Sequence, residues 1–159
     1  MQLQDLHSAP GHLIRRAQQI AVAIFVEECA SFDLTPVQYA AMVAIRENQG
    51  TDATRLSALI AFDRSTLGNV LERLEARKLI VRYPSPQDRR IKVLKLSGAG
   101  TALVKSAEGA VLRAQARILA PLQANDRKKL MELLGQLVHL NNEASRAPLR
   151  ISDQPDCRP

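Results

Sequence analysis

The chain has 159 residues, 22 Lys and Arg against 16 Asp and Glu for a formal net charge of +6, two cysteines, no Trp and 3% aromatic residues. That length supports a hydrophobic core with no metal or disulfide staple, no apolar run approaches the roughly 20 residues of a membrane span, and Met1 to Pro10 lacks a signal-peptide pattern. Cys29 and Cys157 form no disulfide framework, so a reducing cytoplasm is expected, while the basic balance with few aromatic rings favours duplex DNA over single strands or RNA.

From Gly11 to about Ser31, Leu13, Ala17, Ile20 and Ile24 recur at steps of three and four beside Ile14, Ala21 and Phe25, predicting a long helix buried on more than one side. A second helix opens at Thr35-Pro36-Val37-Gln38. Thr35 is the cap, Pro36 suits the first helical position and Gln38 completes a capping box. It is expected to end near Asn48, ahead of Gly50. A short helix over 53–61 turns Leu56, Leu59 and Ile60 inward. Asp63 then caps a longer helix to about Arg77, and two helices joined so closely form a helix-turn-helix.

Leu79 to Tyr83 and Ile91 to Leu96 are extended runs separated by Pro84 to Arg90, which predicts a β-hairpin with a basic tip. Ser97 caps a long helix over 99–119 that stops before Pro121, and Asn125 is expected to cap a last one carrying Leu130, Leu133, Leu134, Leu137 and Val138. Residues 143–159 hold three prolines and little apolar content, and are expected to be a mobile tail. The predicted fold is mainly α with a small β-hairpin wing. Residues 34–97 form a winged helix-turn-helix, and residues 11–33 and 98–142 supply a helical frame for dimerisation within a single 1–159 chain. The apolar residues of the first and last helices exceed what one copy covers, which points to a homodimer.

With Leu67, Val70, Leu71 and Leu74 packed inward, Arg64, Ser65, Thr66, Asn69 and Arg73 are left on the outer face of the candidate recognition helix. Arg pairs bidentately with guanine and Asn with adenine in the major groove, while Ser and Thr reach bases or phosphates. Arg89 and Arg90 at the hairpin tip suit a narrow minor groove. Asp88 is expected to brace one of them by an ion pair. Either feature alone is ordinarily a solvated surface; their order along the chain is that of a groove reader.

Leu34-Thr35-Pro36-Val37-Gln38-Tyr39, Asp63-Arg64-Ser65-Thr66-Leu67, Leu71 to Ile80, and Asp88-Arg89-Arg90 through Leu96-Ser97 together resemble the MarR family of multiple-antibiotic-resistance regulators. The resemblance covers about Gly11 to Asn142. It implies a homodimer with interlocked first and last helices that binds pseudo-palindromic operators in double-stranded DNA and represses transcription until a small ligand weakens binding. Gly98-Ala99-Gly100 departs from the family pattern, which often has an acidic residue there, and is expected to soften the start of the long helix.

The stretch Pro10 to Ala21 resembles the branch of that family controlling aromatic-acid catabolism, hydroxylated nicotinates included, which implies an aromatic carboxylate effector and no other cofactor. Such a ligand needs a cationic fork and an apolar slot. His12 and Arg16, four apart on one helix face, with Arg15 beside them, are the candidate fork. Tyr39, Met42, Val43 and Arg46 form a second stripe on the next helix. No metal-ligand spacing, phosphate loop or nucleophile elbow is found, so catalysis is not expected. Two other classes remain. In a redox-sensing repressor Cys29 would carry the chemistry, though Glu27 and Glu28 beside it disfavour a thiolate. In a sequence-independent architectural DNA protein the base-reading residue types at Arg64 and Asn69 would have no purpose.

Overall fold

Capping chemistry sets most of the helix boundaries. A computed structural model describes residues 2–151 as helices α1 (Leu3–Ser8), α2 (Pro10–Glu28), α3 (Pro36–Glu47), α4 (Ala53–Leu59) and α5 (Arg64–Ala76), strands β1 (Ile80–Pro84) and β2 (Lys92–Leu96), and helices α6 (Gly98–Leu119) and α7 (Ala124–Leu140). At α3 the capping box closes in both directions: Gln38 N donates to the Thr35 hydroxyl at 3.3 Å, and Thr35 N donates to the Gln38 amide oxygen at 3.0 Å. Asp52 accepts from Thr54 N and Arg55 N to start α4. Ser97 accepts from Gly100 N to start α6 and donates to Lys78 O at 2.7 Å, tying that helix to the strand entry.

The strands pair antiparallel from Ile80 opposite Leu96 to Pro84 opposite Lys92, and a bridge from Asp52 to Val93 extends the sheet edge. Against this hairpin, α3, α4, α5 and the first half of α6 enclose one core, in which Met42, Ile45, Leu56, Leu67, Leu71, Leu74, Ile80, Leu94 and Val104 are fully buried. A second, smaller core of Phe25, Cys29, Ala110 and Ala114 joins α2 to α6. Its small residues let the helices approach closely. Along its edge Arg117 donates to Glu28 at 2.7 Å and to Glu27 at 3.1 Å, and Arg113 donates to Glu28 at 3.1 Å.

Several expectations need correction. Residues 3–8 form α1, whose Asp5 carboxylate accepts from Gln2 N at 2.8 Å. The long first helix ends at Glu28, followed by a 3-10 turn over Ala30–Phe32, and within one chain it buries only Phe25 rather than two faces. The cap of α7 is Gln123 and not Asn125. Beyond α7 the chain makes defined contacts: Asn142 and Leu149 exchange hydrogen bonds, Glu143 pairs with Arg150 through both carboxylate oxygens, and Arg150 N donates to Ala58 O at the end of α4, at 2.9 Å. The Arg150 guanidinium holds the Glu143 carboxyl down at about 2. The tail expected over 152–159, and Cys157 with it, lies outside the described residues. Among the described residues no helix is long and apolar enough to cross a membrane.

Candidate nucleic-acid and effector interface

Helix α5 divides its residues by period. Leu67, Val70, Leu71 and Leu74 are buried, and Arg64, Ser65, Thr66, Asn69 and Arg73 are exposed on the other side. The connection to α4 is short because Ala61 takes a left-handed conformation at φ 52°. Asp63 caps the helix and accepts from Thr66 N at 2.9 Å, from the Ser65 hydroxyl at 2.6 Å and from the Thr66 hydroxyl at 2.7 Å. Arg64, by contrast, is exposed and has no carboxylate partner among the described residues.

At the hairpin tip Arg89 and Arg90 are also exposed and form no ion pair among the described residues. The expected Asp88 brace takes a different form. Its carboxylate accepts from the backbone N of Arg90 at 2.9 Å and its carbonyl accepts from Ile91 N at 3.0 Å. Asp88 thus shapes the turn through the backbone, because a short Asx-type bond is available two residues on, and engages neither guanidinium group. Deeper in the wing, Arg82 of β1 reaches Glu75 of α5 at 3.0 Å and fixes the hairpin to the reading helix.

The residues expected to hold a ligand do not gather in one chain. His12, Arg15 and Arg16 lie together on α2, where Arg15 and Arg16 both donate to the Gln19 amide oxygen, at 3.1 and 3.3 Å. Desolvation, Arg15, the His7 ring and Arg16 hold His12 below its ordinary 6.5. Tyr39 packs on Phe25 with ring centroids 6.3 Å apart, and burial pushes its hydroxyl up. Met42 is completely enclosed in the larger core, so it is not a lining residue. Val43 is half-buried against the same core, and Arg46 is turned out to Glu47 at 2.8 Å. Within one chain the stripe from Tyr39 to Arg46 therefore faces partly core and partly solvent.

A cleft of about 460 Å³ opens elsewhere, where α2 meets the reading module. Gln18 and Val22 of α2, Val37 and Gln38 of α3, Phe62, and Thr66, Asn69 and Arg73 of α5 line it. Its volume suits a small organic ligand. The sequence reading assigns Thr66, Asn69 and Arg73 to DNA alone and does not single out Gln18, Val22 and Phe62, which share this cleft with them. The one signal available was helical spacing, since Arg15, Gln18 and Val22 share a stripe of α2.

Known proteins fit this geometry. A family model described as MarR family matches residues 32–91. The HTH-type transcriptional repressor NicR of Pseudomonas putida is 29% identical over 140 residues, 88% of this chain and 89% of its own. CouR, a transcriptional repressor solved bound to a 23-mer DNA duplex, is similar at a TM-score of 0.78 and 28% identity, over 87% of this chain and 98% of that one. BpsR of Bordetella bronchiseptica, whose DNA binding is regulated by 6-hydroxynicotinic acid, is similar at a TM-score of 0.77 and 30% identity, over 82% of this chain and 94% of that one.

Proposed function

The chain belongs to the MarR family, and from that premise we propose that it is a homodimeric DNA-binding transcriptional repressor that a small aromatic carboxylate releases from its operator. The observation that carries the DNA-binding reading is the joint exposure of Arg64 at the head of α5 and of Arg89 and Arg90 at the wing tip, none engaged by a carboxylate among the described residues. Cations left unpaired on a basic protein are available to bases and phosphates. In this reading Arg64 and Asn69 meet base edges, Ser65, Thr66 and Arg73 support them, and Arg89 and Arg90 enter the neighbouring minor groove.

The dimer follows from surface left uncovered. Helix α7 buries no residue in one chain, and Leu130, Met131, Leu133, Leu134, Leu137 and Val138 stand exposed along it, as do Leu3, Leu6, Leu13, Ile14 and Ile20 at the other end of the frame. Apolar surface of this extent marks an interface. Two copies related by a two-fold axis would set their α5 helices to half-sites about one helical turn apart.

For the effector, the cleft offers apolar surface at Val22, Val37 and Phe62, amides at Gln18 and Gln38, and a cation at Arg73. Arg15 follows the same stripe of α2 one turn earlier than Gln18 and supplies the second arm of a fork; His12 and Arg16 flank it. The regulator BpsR, whose DNA binding responds to 6-hydroxynicotinic acid, supports this class of ligand. Since Thr66, Asn69 and Arg73 border the cleft and belong to the reading helix, an occupant touches the helix that meets DNA.

The test is a binding titration on duplexes selected from a random pool. Arg64→Ala and Asn69→Ala are each expected to cost about 1–3 kcal/mol on the selected sequence and less on random DNA. Arg89→Ala and Arg90→Ala are expected to weaken both and to reduce the salt dependence. Equal losses on every sequence for Arg64→Ala would remove it from base reading. A specificity ratio near one for the native protein would favour an architectural DNA protein instead.

A further inference from the structure

Three hydrogen bonds converge on the Asp63 carboxylate, two of them from the Ser65 and Thr66 hydroxyls at 2.6 and 2.7 Å. The Ser65 hydroxyl, then the Thr66 hydroxyl and amide, hold this carboxyl well below its ordinary 3.8, so it carries no proton near neutral pH. An ionised carboxylate only accepts, and a hydroxyl has one hydrogen to donate. Each hydroxyl therefore commits its hydrogen to Asp63 and turns lone pairs outward. All three residues are exposed at the N-terminal end of α5. An acid there opposes binding to a polyanion; the positive end of the helix favours its charge, but Asn makes the same capping bond without it.

We infer that Asp63 is a specificity-determining positioning residue that makes Ser65 and Thr66 acceptors toward DNA, matched to the exocyclic amines of adenine and cytosine. The inference rests on the base-reading function proposed for α5. In the major groove the amine donors are N6 of adenine and N4 of cytosine, whereas guanine N7 and O6, thymine O4 and every phosphate oxygen are acceptors. Hydroxyls fixed as acceptors meet the first set and find nothing in the second. Arg64, beside them, is a donor only and takes the opposite set. One turn of helix then carries both polarities in fixed places, with Asp63 holding the acceptor half.

The experiment uses the full chain and duplexes it enriches from a random pool. Each adenine in the enriched site is replaced in turn by purine, which lacks the N6 amine, and each cytosine by 2-pyrimidinone, which lacks the N4 amine. Binding is compared among the native protein, Ser65→Ala/Thr66→Val and Asp63→Asn. The last keeps the cap, while its amide nitrogen donates and turns a hydroxyl round. The expected result is that amine removal at one or two positions of each half-site costs the native protein about three- to tenfold. The same replacements are expected to cost Ser65→Ala/Thr66→Val little, and to cost Asp63→Asn little at the position met by the hydroxyl that has turned round. Equal losses in all three proteins at every amine overturn the assignment. So does a loss on phosphate ethylation that disappears in Ser65→Ala/Thr66→Val, because the hydroxyls would then be phosphate donors. A pool that yields no preferred sequence removes base reading itself and the assignment with it, and so distinguishes that failure from the first two.

Discussion

Gly100 marks the place where α6 meets the wing. A Cβ built there would lie 2.0 Å from Leu79 O, far inside van der Waals contact with a backbone atom, while Gly98, two residues earlier, faces open space. Gly100→Ala is therefore expected to destabilise the protein by about 1–3 kcal/mol, as overpacking does, and Gly98→Ala to be neutral or slightly stabilising. Urea unfolding midpoints of the two variants check this, and a neutral Gly100→Ala would show that the strand yields at no cost. In the sequence both glycines looked like a weakness at a helix start; only the approach of Leu79 gives one of them a purpose. Cys29 is read the same way, from its surroundings. It is fully buried, and burial first, then Glu28, push its thiol above the ordinary 9.0, with only Arg113 opposing. A raised pKa keeps the group protonated and poorly nucleophilic at neutral pH. Millimolar-range peroxide is accordingly expected to leave operator binding unchanged, and release that vanishes in Cys29→Ser would restore the redox-sensing alternative.

At the scale of elements, the α2 and α6 pair depends on Glu28, which stands between Arg117 and Arg113. The hydrogen bond from Arg117, then that from Arg113, hold its carboxyl below the ordinary 4.5. A depressed folded value means that the stabilisation is complete above about pH 4.5 and is lost as pH falls below it through the folded value. Comparing acid unfolding of the native protein with Glu28→Gln tests this: the stability difference is expected to hold from pH 7 to about 5 and to shrink below that. A difference constant with pH would assign the effect of Glu28 to packing alone. Caps make most elements legible in the sequence itself. Thr35 with Gln38, Asp63 and Ser97 are local signals, and each starts a helix where expected. What stayed illegible depends on residues distant in the chain. The hold on 142–151 is a backbone bond to Ala58, some ninety positions away, and a polar, proline-bearing segment gives no sign of such a partner. The stripe of Tyr39, Met42, Val43 and Arg46 has the same limit: helical spacing identifies a shared face but not whether each residue on it meets a cleft, a core or solvent, and Met42 meets the core.

For the whole molecule, regulation requires that ligand and DNA prefer different arrangements of one dimer. Two α5 helices match an operator only at one separation, and each is carried on a reading module that meets the frame at the cleft between α2 and α5. A ligand with equal affinity for both arrangements shifts nothing, whereas a preference of about 3 kcal/mol for the mismatched one lowers operator affinity roughly a hundredfold. The frame must be intact for this to work, so Leu134→Glu, which puts a charge into the exposed apolar row of α7, is expected to give monomers in sedimentation and to lose both DNA binding and response. The fork is tested separately. Successive residues on a helix are about 100° apart, so Arg15 shares the stripe of Gln18 and Val22 while Arg16 points well away from it. Titration of operator complexes with 6-hydroxynicotinate and hydroxybenzoates is expected to show release for the native protein and for Arg16→Ala, but none for Arg15→Ala, with unliganded operator affinity nearly equal in all three. Loss of response in Arg16→Ala with retention in Arg15→Ala would move the site to the other side of α2, toward the dimer partner. No release of the native protein by any aromatic acid would remove the ligand class while leaving the repressor, its dimer and its reading helix as they stand.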